Sequence, residues 1–145
     1  MNFRILNPSH LAYATRPLVG IFLIALLSLP TLAQAHSNEY LATIKGAHGG
    51  MLRMVEMYHF ELVVKDGEAH VWVTDHGDTP QSTKRAVATL RLINGNDAFS
   101  VYLKPTNSNE LMIKDARIKS RKGTKMVLTV NMNGEASLQT RFSLD

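Results

Sequence analysis

The chain has 145 residues, with 16 Lys+Arg against 12 Asp+Glu, no cysteine and one tryptophan. That length suits one domain plus a processing segment. The missing cysteines exclude thiolate chemistry, Cys-type zinc sites and disulfide stabilisation. The surplus of positive charge is too small to argue for a nucleic-acid partner.

Residues 1–35 differ from the rest. Arg4 and Arg16 make a basic start with no acidic residue, Leu18 to Leu29 reads LVGIFLIALLSL, and Ala33-Gln34-Ala35 supplies an A-x-A site. These are the marks of a secretory signal peptide. The apolar run is shorter than the roughly 20 residues that span a bilayer. Cleavage after Ala35 is therefore expected, leaving a periplasmic domain of residues 36–145 without a stable membrane span. Losing Arg4 and Arg16 brings Lys+Arg from 16 to 14 against the same 12 acids, a nearly neutral domain.

Tyr40 to Lys45 alternates weakly and predicts a first strand. Gly46-Ala47-His48-Gly49-Gly50 predicts a loop, because glycines at this density cost too much entropy inside an element. Met51 to Glu56 predicts loop or a short irregular strand, with Met51, Met54 and Met57 spaced i, i+3, i+6. Met57 to His76 predicts a hairpin: two alternating runs flank Asp66-Gly67, and Asp-Gly favours a type I′ turn. That turn sets Lys65 opposite Glu68, Val64 opposite Ala69, Leu62 opposite Val71, Phe60 opposite Val73, His59 opposite Thr74 and Met57 opposite His76. Tyr58, Phe60, Leu62 and Val64 then share a core face with Ala69, Val71 and Val73. A slip of one residue would turn the charged residues inward.

Gly77 to Ser82 predicts a loop. Ala86 to Ile93 and Ala98 to Lys104 predict a hairpin around Asn94-Gly95-Asn96, with Ala88, Leu90 and Leu92 on one side and Phe99, Val101 and Leu103 inward. Pro105 to Asn109 is a turn, Glu110 to Lys114 a short strand, and Asp115 to Thr124 a basic polar stretch. Lys125 to Asn131 and Glu135 to Leu144 form a third hairpin around Asn133-Gly134. Seven or eight short antiparallel strands without a convincing helix predict an all-β, immunoglobulin-like β-sandwich, with a small closed barrel as the alternative.

Histidine carries the candidate chemistry. His36, His48, His59, His70 and His76 fall between residues 36 and 76, and no histidine follows. Met51, Met54 and Met57 lie in the same stretch. Imidazole suits copper, zinc or nickel and thioether suits Cu(I), so copper is the first candidate and zinc the second. The hairpin register groups Met57, His76 and His59 on its outer face, and His48 in the Gly loop could complete the set. The bland alternative is a polar face with core-filling methionines. If cleavage follows Ala35, His36 becomes the N-terminus, and its amine and ring could chelate Cu(II) as a brace. Trp72 shares the outer face and suits packing better than ligand stacking. Glu61 and Asp75 could orient histidines. The basic stretch from Lys114 to Lys125 suits a solvated loop, with anionic lipid or an acidic partner as the alternative. No G-x-S-x-G, H-E-x-x-H or phosphate loop occurs, so an enzyme is not expected.

The segment HGGMLRMVEMYHFELVVKDGEAHVWVTDHGDTP resembles a pattern in small exported proteins encoded with heavy-metal efflux systems, where a His-Gly-Gly loop precedes a strand–turn–strand ending in Thr-Asp-His. A related segment occurs in periplasmic adaptors of heavy-metal efflux pumps. The alternating strands and the terminal hairpin also look like YtkA-like and FixH-like immunoglobulin domains. His48, Gly49 and Gly50 match the loop, and Thr74, Asp75 and His76 match the strand end. Gly77-Asp78-Thr79-Pro80 departs from the usual Gly-x-Pro spacing, and the chain has no adaptor helical hairpin or lipoyl-like region. The resemblance implies an exported β-sandwich linked to metal handling, with an efflux-pump component as possible partner. The expected function is metal binding, copper first, as carrier, buffer or accessory, with His36, His48, Met57, His59 and His76 as ligands. A metal-free interaction module of an envelope complex is the alternative, and a copper-brace enzyme a third possibility.

Overall fold

A computed structural model describes residues 37–145. The predicted leader and His36 lie outside the described residues. The period-two hydrophobic pattern produces eight strands: β1 (Met51–Val55), β2 (Tyr58–Lys65), β3 (Glu68–Asp75), β4 (Val87–Asn94), β5 (Asp97–Pro105), β6 (Glu110–Lys114), β7 (Lys125–Asn131) and β8 (Ser137–Ser143). Every ladder is antiparallel, and the strand order is β1-β2-β3-β6-β5-β4-β7-β8.

This continuous sheet folds over on itself at β5. That strand pairs with β4 from Asp97 to Leu103 but meets β6 only through Lys104 and Pro105. One half is β1-β2-β3-β6 and the other β5-β4-β7-β8. The links from β3 to β4 and from β6 to β7 each cross between the halves. Crossing connections of this kind, with β5 shared at the fold between the halves, give a sandwich-like arrangement of one continuous sheet. The free edges β1 and β8 meet through a side chain rather than a ladder. Arg53 Nε donates to the Arg141 carbonyl at 3.1 Å, with the guanidinium 5.5 Å from the Phe142 ring centre. The sheet is thus nearly closed.

Inward residues from both halves meet in one core, with Phe60, Leu62, Val71, Leu90, Leu111, Ile118, Met126 and Leu128 all essentially inaccessible. The expected inward sets on β2, β3, β4 and β5 are the observed ones, except that Phe99 is only half-buried.

Four local expectations are corrected. Tyr40 to Lys45 is not a strand. A short helix α1 (Asn38–Leu41) starts at Ser37, whose Oγ accepts the Tyr40 N–H, and only Lys45 bridges to Met51. The reason is the Asn38 side chain, which donates to the Met54 carbonyl at 2.9 Å and accepts the Met54 N–H at 2.7 Å. That amide imitates a strand's backbone and blunts the β1 edge without a strand. Second, of the loop or short irregular strand expected at Met51 to Glu56, the strand is found, but it is regular and paired with β2 along its length, from Met51 to Val55. Third, the Asp66-Gly67 turn is not type I′. Gly67 has φ +84 but Asp66 is not at positive φ, the pattern of a type II turn. The following crossover docks on it: Asp66 Oδ1 accepts the Ser120 N–H, and Gly67 N–H donates to the Ile118 carbonyl. The I′ geometry belongs instead to Asn133-Gly134, with φ values of 53° and 84°. Fourth, the β2–β3 ladder holds the expected register from Lys65↔Glu68 to Tyr58↔Asp75 and stops there, so Met57 and His76 are not a strand pair.

Phe60, 1 % exposed, packs where both halves meet. Truncating it to alanine should cost about 3–5 kcal/mol in urea unfolding. Tyr102→Ala, at a residue 70 % exposed on the opposite surface, should change stability by less than about 0.5 kcal/mol.

Candidate functional site

The outward residues of β2 and β3 form rows set by the ladder: His59 beside Thr74, Glu61 beside Trp72, and Val63 beside His70, with Glu110 of β6 next to Trp72. This face is covered rather than bare. His59 and Glu61 are each only 5 % exposed. Their cover is α1 and the Gly loop, residues 46–50, folded back over the sheet.

Glu61 holds that loop. Its Oε1 accepts the His48 N–H at 2.7 Å and the Gly50 N–H at 2.8 Å, and its Oε2 lies 2.8 Å from His48 Nδ1. Three donors satisfy a carboxylate that would otherwise be costly to bury. A carboxylate only accepts, so His48 Nδ1 donates to it. Two of the loop's three glycines are required by contact, and the third, Gly49, stands at φ +78. A Cβ on Gly46 would sit 2.2 Å from Glu61 Cδ, and one on Gly50 would sit 2.7 Å from Glu61 Cγ.

The held His48 ring stacks on Trp72, with centroids 3.9 Å apart and planes 7° from parallel. His70 stacks on the same indole at 5.5 Å. His70 Nδ1 lies 2.7 Å from Glu110 Oε1, and its Nε2 is 3.5 Å from Glu68. Glu110 Oε2 accepts from Thr106 Oγ1 and Asn107 Nδ2, both at 2.7 Å. Burial pushes the Glu110 carboxyl up, but these hydrogen bonds, His70's first, hold it below its ordinary value.

At the end of β3, Asp75 shapes a tight turn. Its Oδ1 accepts the N–H groups of Gly77 and Thr79, and its Oδ2 accepts from Gln81. The Thr79 N–H is the largest influence keeping this carboxyl low. The turn carries His76 and Asp78, the latter at φ 58°. The His76 ring meets His59 edge-on, with centroids 5.3 Å apart, and Asp78 Oδ1 is 3.6 Å from His59 Nδ1.

His48, His59, His76, Glu61, Trp72 and Asp78 line a cavity of about 380 Å³, walled on its apolar side by α1 and the residues after it. Of the sequence-predicted ligands, His48, His59 and His76 therefore share one pocket. Met57 does not. It lies exposed in the β1–β2 turn, beside a different depression formed with Glu135 and Leu138. A tight two-residue connection places it beyond the end of the ladder, so the pairing count could not carry it to His76. No methionine lines the histidine pocket. Among the described residues, no three His, Asp or Glu side chains are grouped closely enough to hold a metal ion by themselves. Asp75 orients a turn rather than a histidine. Glu110 and Asp78 were missed: Glu110 opens a strand whose neighbour was unknown, and Asp78 sits in a loop without periodicity.

This is an all-β, sandwich-like fold, one nearly closed antiparallel sheet, with a histidine-lined pocket on its β1-β2-β3-β6 half. The chain matches no protein-family model, and no curated protein or solved structure matches it significantly.

Gly46→Ala should displace the Glu61 carboxylate, cost about 1–3 kcal/mol, and change the emission of the only tryptophan as His48 leaves its stack. Unchanged fluorescence and stability would disprove this loop geometry. A second expectation concerns acid. A carboxyl held below its unfolded value contributes stability above that value and loses it as pH falls through the folded one. Unfolding followed below the ordinary glutamate value of 4.5 should show declining stability, and Glu110→Gln should be less stable at neutral pH with a shallower acid decline.

Proposed function

We propose that the chain is an exported metal-binding protein, working in the periplasm as a carrier, buffer or efflux accessory for copper, with zinc as the second ion. The observation that carries the reading is the approach of the His59 and His76 rings to 5.3 Å in a pocket that His48 also lines. Two imidazoles on a strand and an adjoining tight turn make a half-site of defined geometry. Asp78 adds a carboxylate at its rim. His48 has the second-shell pattern of metal-binding histidines, one nitrogen donating to a carboxylate and, in the neutral ring, the other left to coordinate. The predicted leader and the likeness of residues 48–50 and 57–80 to small exported proteins of heavy-metal efflux systems support the compartment and the role.

The donor set narrows the ion. With no methionine in the pocket, the thioether argument for Cu(I) falls away. Imidazole and carboxylate favour divalent ions, among which Cu(II) binds most tightly. A further donor must be recruited, since the described residues hold no ready group of three. His48 moving within the pocket is one source. His36, with its own amine after cleavage at Ala35, is the other.

Calorimetric titration of Cu(II) and Zn(II) into chelator-treated protein tests this. One equivalent of copper should bind with Kd below about 1 µM, roughly −8 kcal/mol, and more tightly than zinc. His59→Ala with His76→Ala should weaken it by at least about a hundredfold, while His70→Ala, outside the pocket, should leave it intact. Binding of neither ion below micromolar, or an unaffected double variant, would sink the proposal.

A further inference from the structure

The second half of the sandwich turns a different surface outward. On β4, β5, β7 and β8 the outward residues alternate with buried ones, and every charged residue among them is a cation: Arg91 on β4, Lys104 on β5, Lys125 on β7 and Arg141 on β8. The register groups three of them. Val127 pairs with Arg91 on one side and Arg141 on the other, and Lys125 lies two residues along the same strand. Strands lie about 4.8 Å apart, so Arg91, Lys125 and Arg141 surround Val127 at the spacing of a small anionic cluster. None of the four cations has an ion pair among the described residues. Arg117, nearby in the crossover, is different, since Asp115 neutralises it at 2.6 Å.

The acids nearest this face in sequence, Asp97, Glu135 and Asp145, sit at a strand end, in a turn and past the end of β8 rather than across the sheet, and none forms an ion pair with the four cations. Beside the cations lie the two most exposed large apolar side chains among the described residues, Tyr102 at 70 % and Val87 at 64 %. Val87 and Lys104 flank the Ala88↔Leu103 pair on the same outward side, and Tyr102 pairs with Thr89.

We propose that this face docks the protein on a membrane surface rich in anionic phospholipid. Unpaired cations spread over an open sheet face match a plane of phosphate headgroups. An exposed tyrosine and valine beside them suit the headgroup boundary, where amphipathic aromatics concentrate. Arg and Lys near such a surface each add attraction that decays within a Debye length. The proposal does not depend on the metal site, which uses residues of β2, β3 and the segment before β1.

The test is co-sedimentation of the purified soluble protein with vesicles of phosphatidylglycerol and phosphatidylethanolamine, against phosphatidylcholine alone. The protein should pellet with the anionic vesicles, remain soluble with the neutral ones, and be released by about 0.5 M salt, roughly three times physiological ionic strength. Each neutralised cation should lower the partition about fivefold, so Arg91→Gln, Lys125→Gln and Arg141→Gln together should lower it about a hundredfold. These side chains are exposed, so the triple variant should unfold at the wild-type urea midpoint and bind metal as the wild type does. A variant at a distant cation, Lys65→Gln, should pellet normally. Equal binding to both vesicle types, or undiminished binding by the folded triple variant, would overturn the proposal. Retention on an acidic protein or on heparin without retention on the anionic vesicles would overturn it as well.

Discussion

Pairing β2 with β3 commits each residue of the two strands to one of two faces, and both sides of this molecule follow from that choice. The ladder from Lys65↔Glu68 to Tyr58↔Asp75 turns Phe60, Leu62, Val71 and Val73 into the core. It turns His59, Glu61, His70 and Trp72 the other way. A shift of one residue in one strand would bury a carboxylate and an imidazole among apolar side chains, at several kcal/mol for each group left without partners. The apolar content of one face thereby fixes the position of every polar group on the other.

The outer face is then closed by a carboxylate. Glu61 is taken out of water, and burial of that kind is tolerable only where donors replace the lost hydration. Two backbone N–H groups and one imidazole do so. The same contacts bring residues 46–50 close enough to the sheet that side chains at Gly46 and Gly50 would collide with Glu61. A loop of small residues and a buried acid are thus one device. It carries the His48 ring onto Trp72, so an electrostatic constraint ends as an aromatic stack.

Much of the fold was legible because it rests on local pattern. Alternation marked β2 to β8, and the glycine turns set the hairpin registers. The Asp66-Gly67 register survived although its turn type was misjudged, since two loop residues between paired strands fix the register whatever the central dihedrals. What failed depends on contacts distant in sequence. Tyr40 to Lys45 alternates, but Asn38 satisfies the Met54 backbone from a helix start, and no ladder partner was left for a strand. Met57 matched the count of the hairpin but not its length. The register placed His59 at the end of β2 beside Thr74, and the turn after Asp75 then brings His76 to it. The capture of His48 by Glu61 was not legible, because nothing in a glycine-rich loop states which strand it will fold back upon.

The two halves of the sheet enclose one core, and each turns its own rows of residues outward. One surface gathers the histidines with Glu61, Glu68 and Glu110, and the other carries Arg91, Lys104, Lys125 and Arg141 without a carboxylate between them. Separation of this kind is not needed for stability, since exposed charges of either sign contribute little to folding. It does orient the molecule in an external field. An anionic plane meets the row of cations on β4, β7 and β8 more favourably than the mixed charges around the pocket. The proposed metal site and the proposed docking face draw on different strands, so occupation of one leaves the other open.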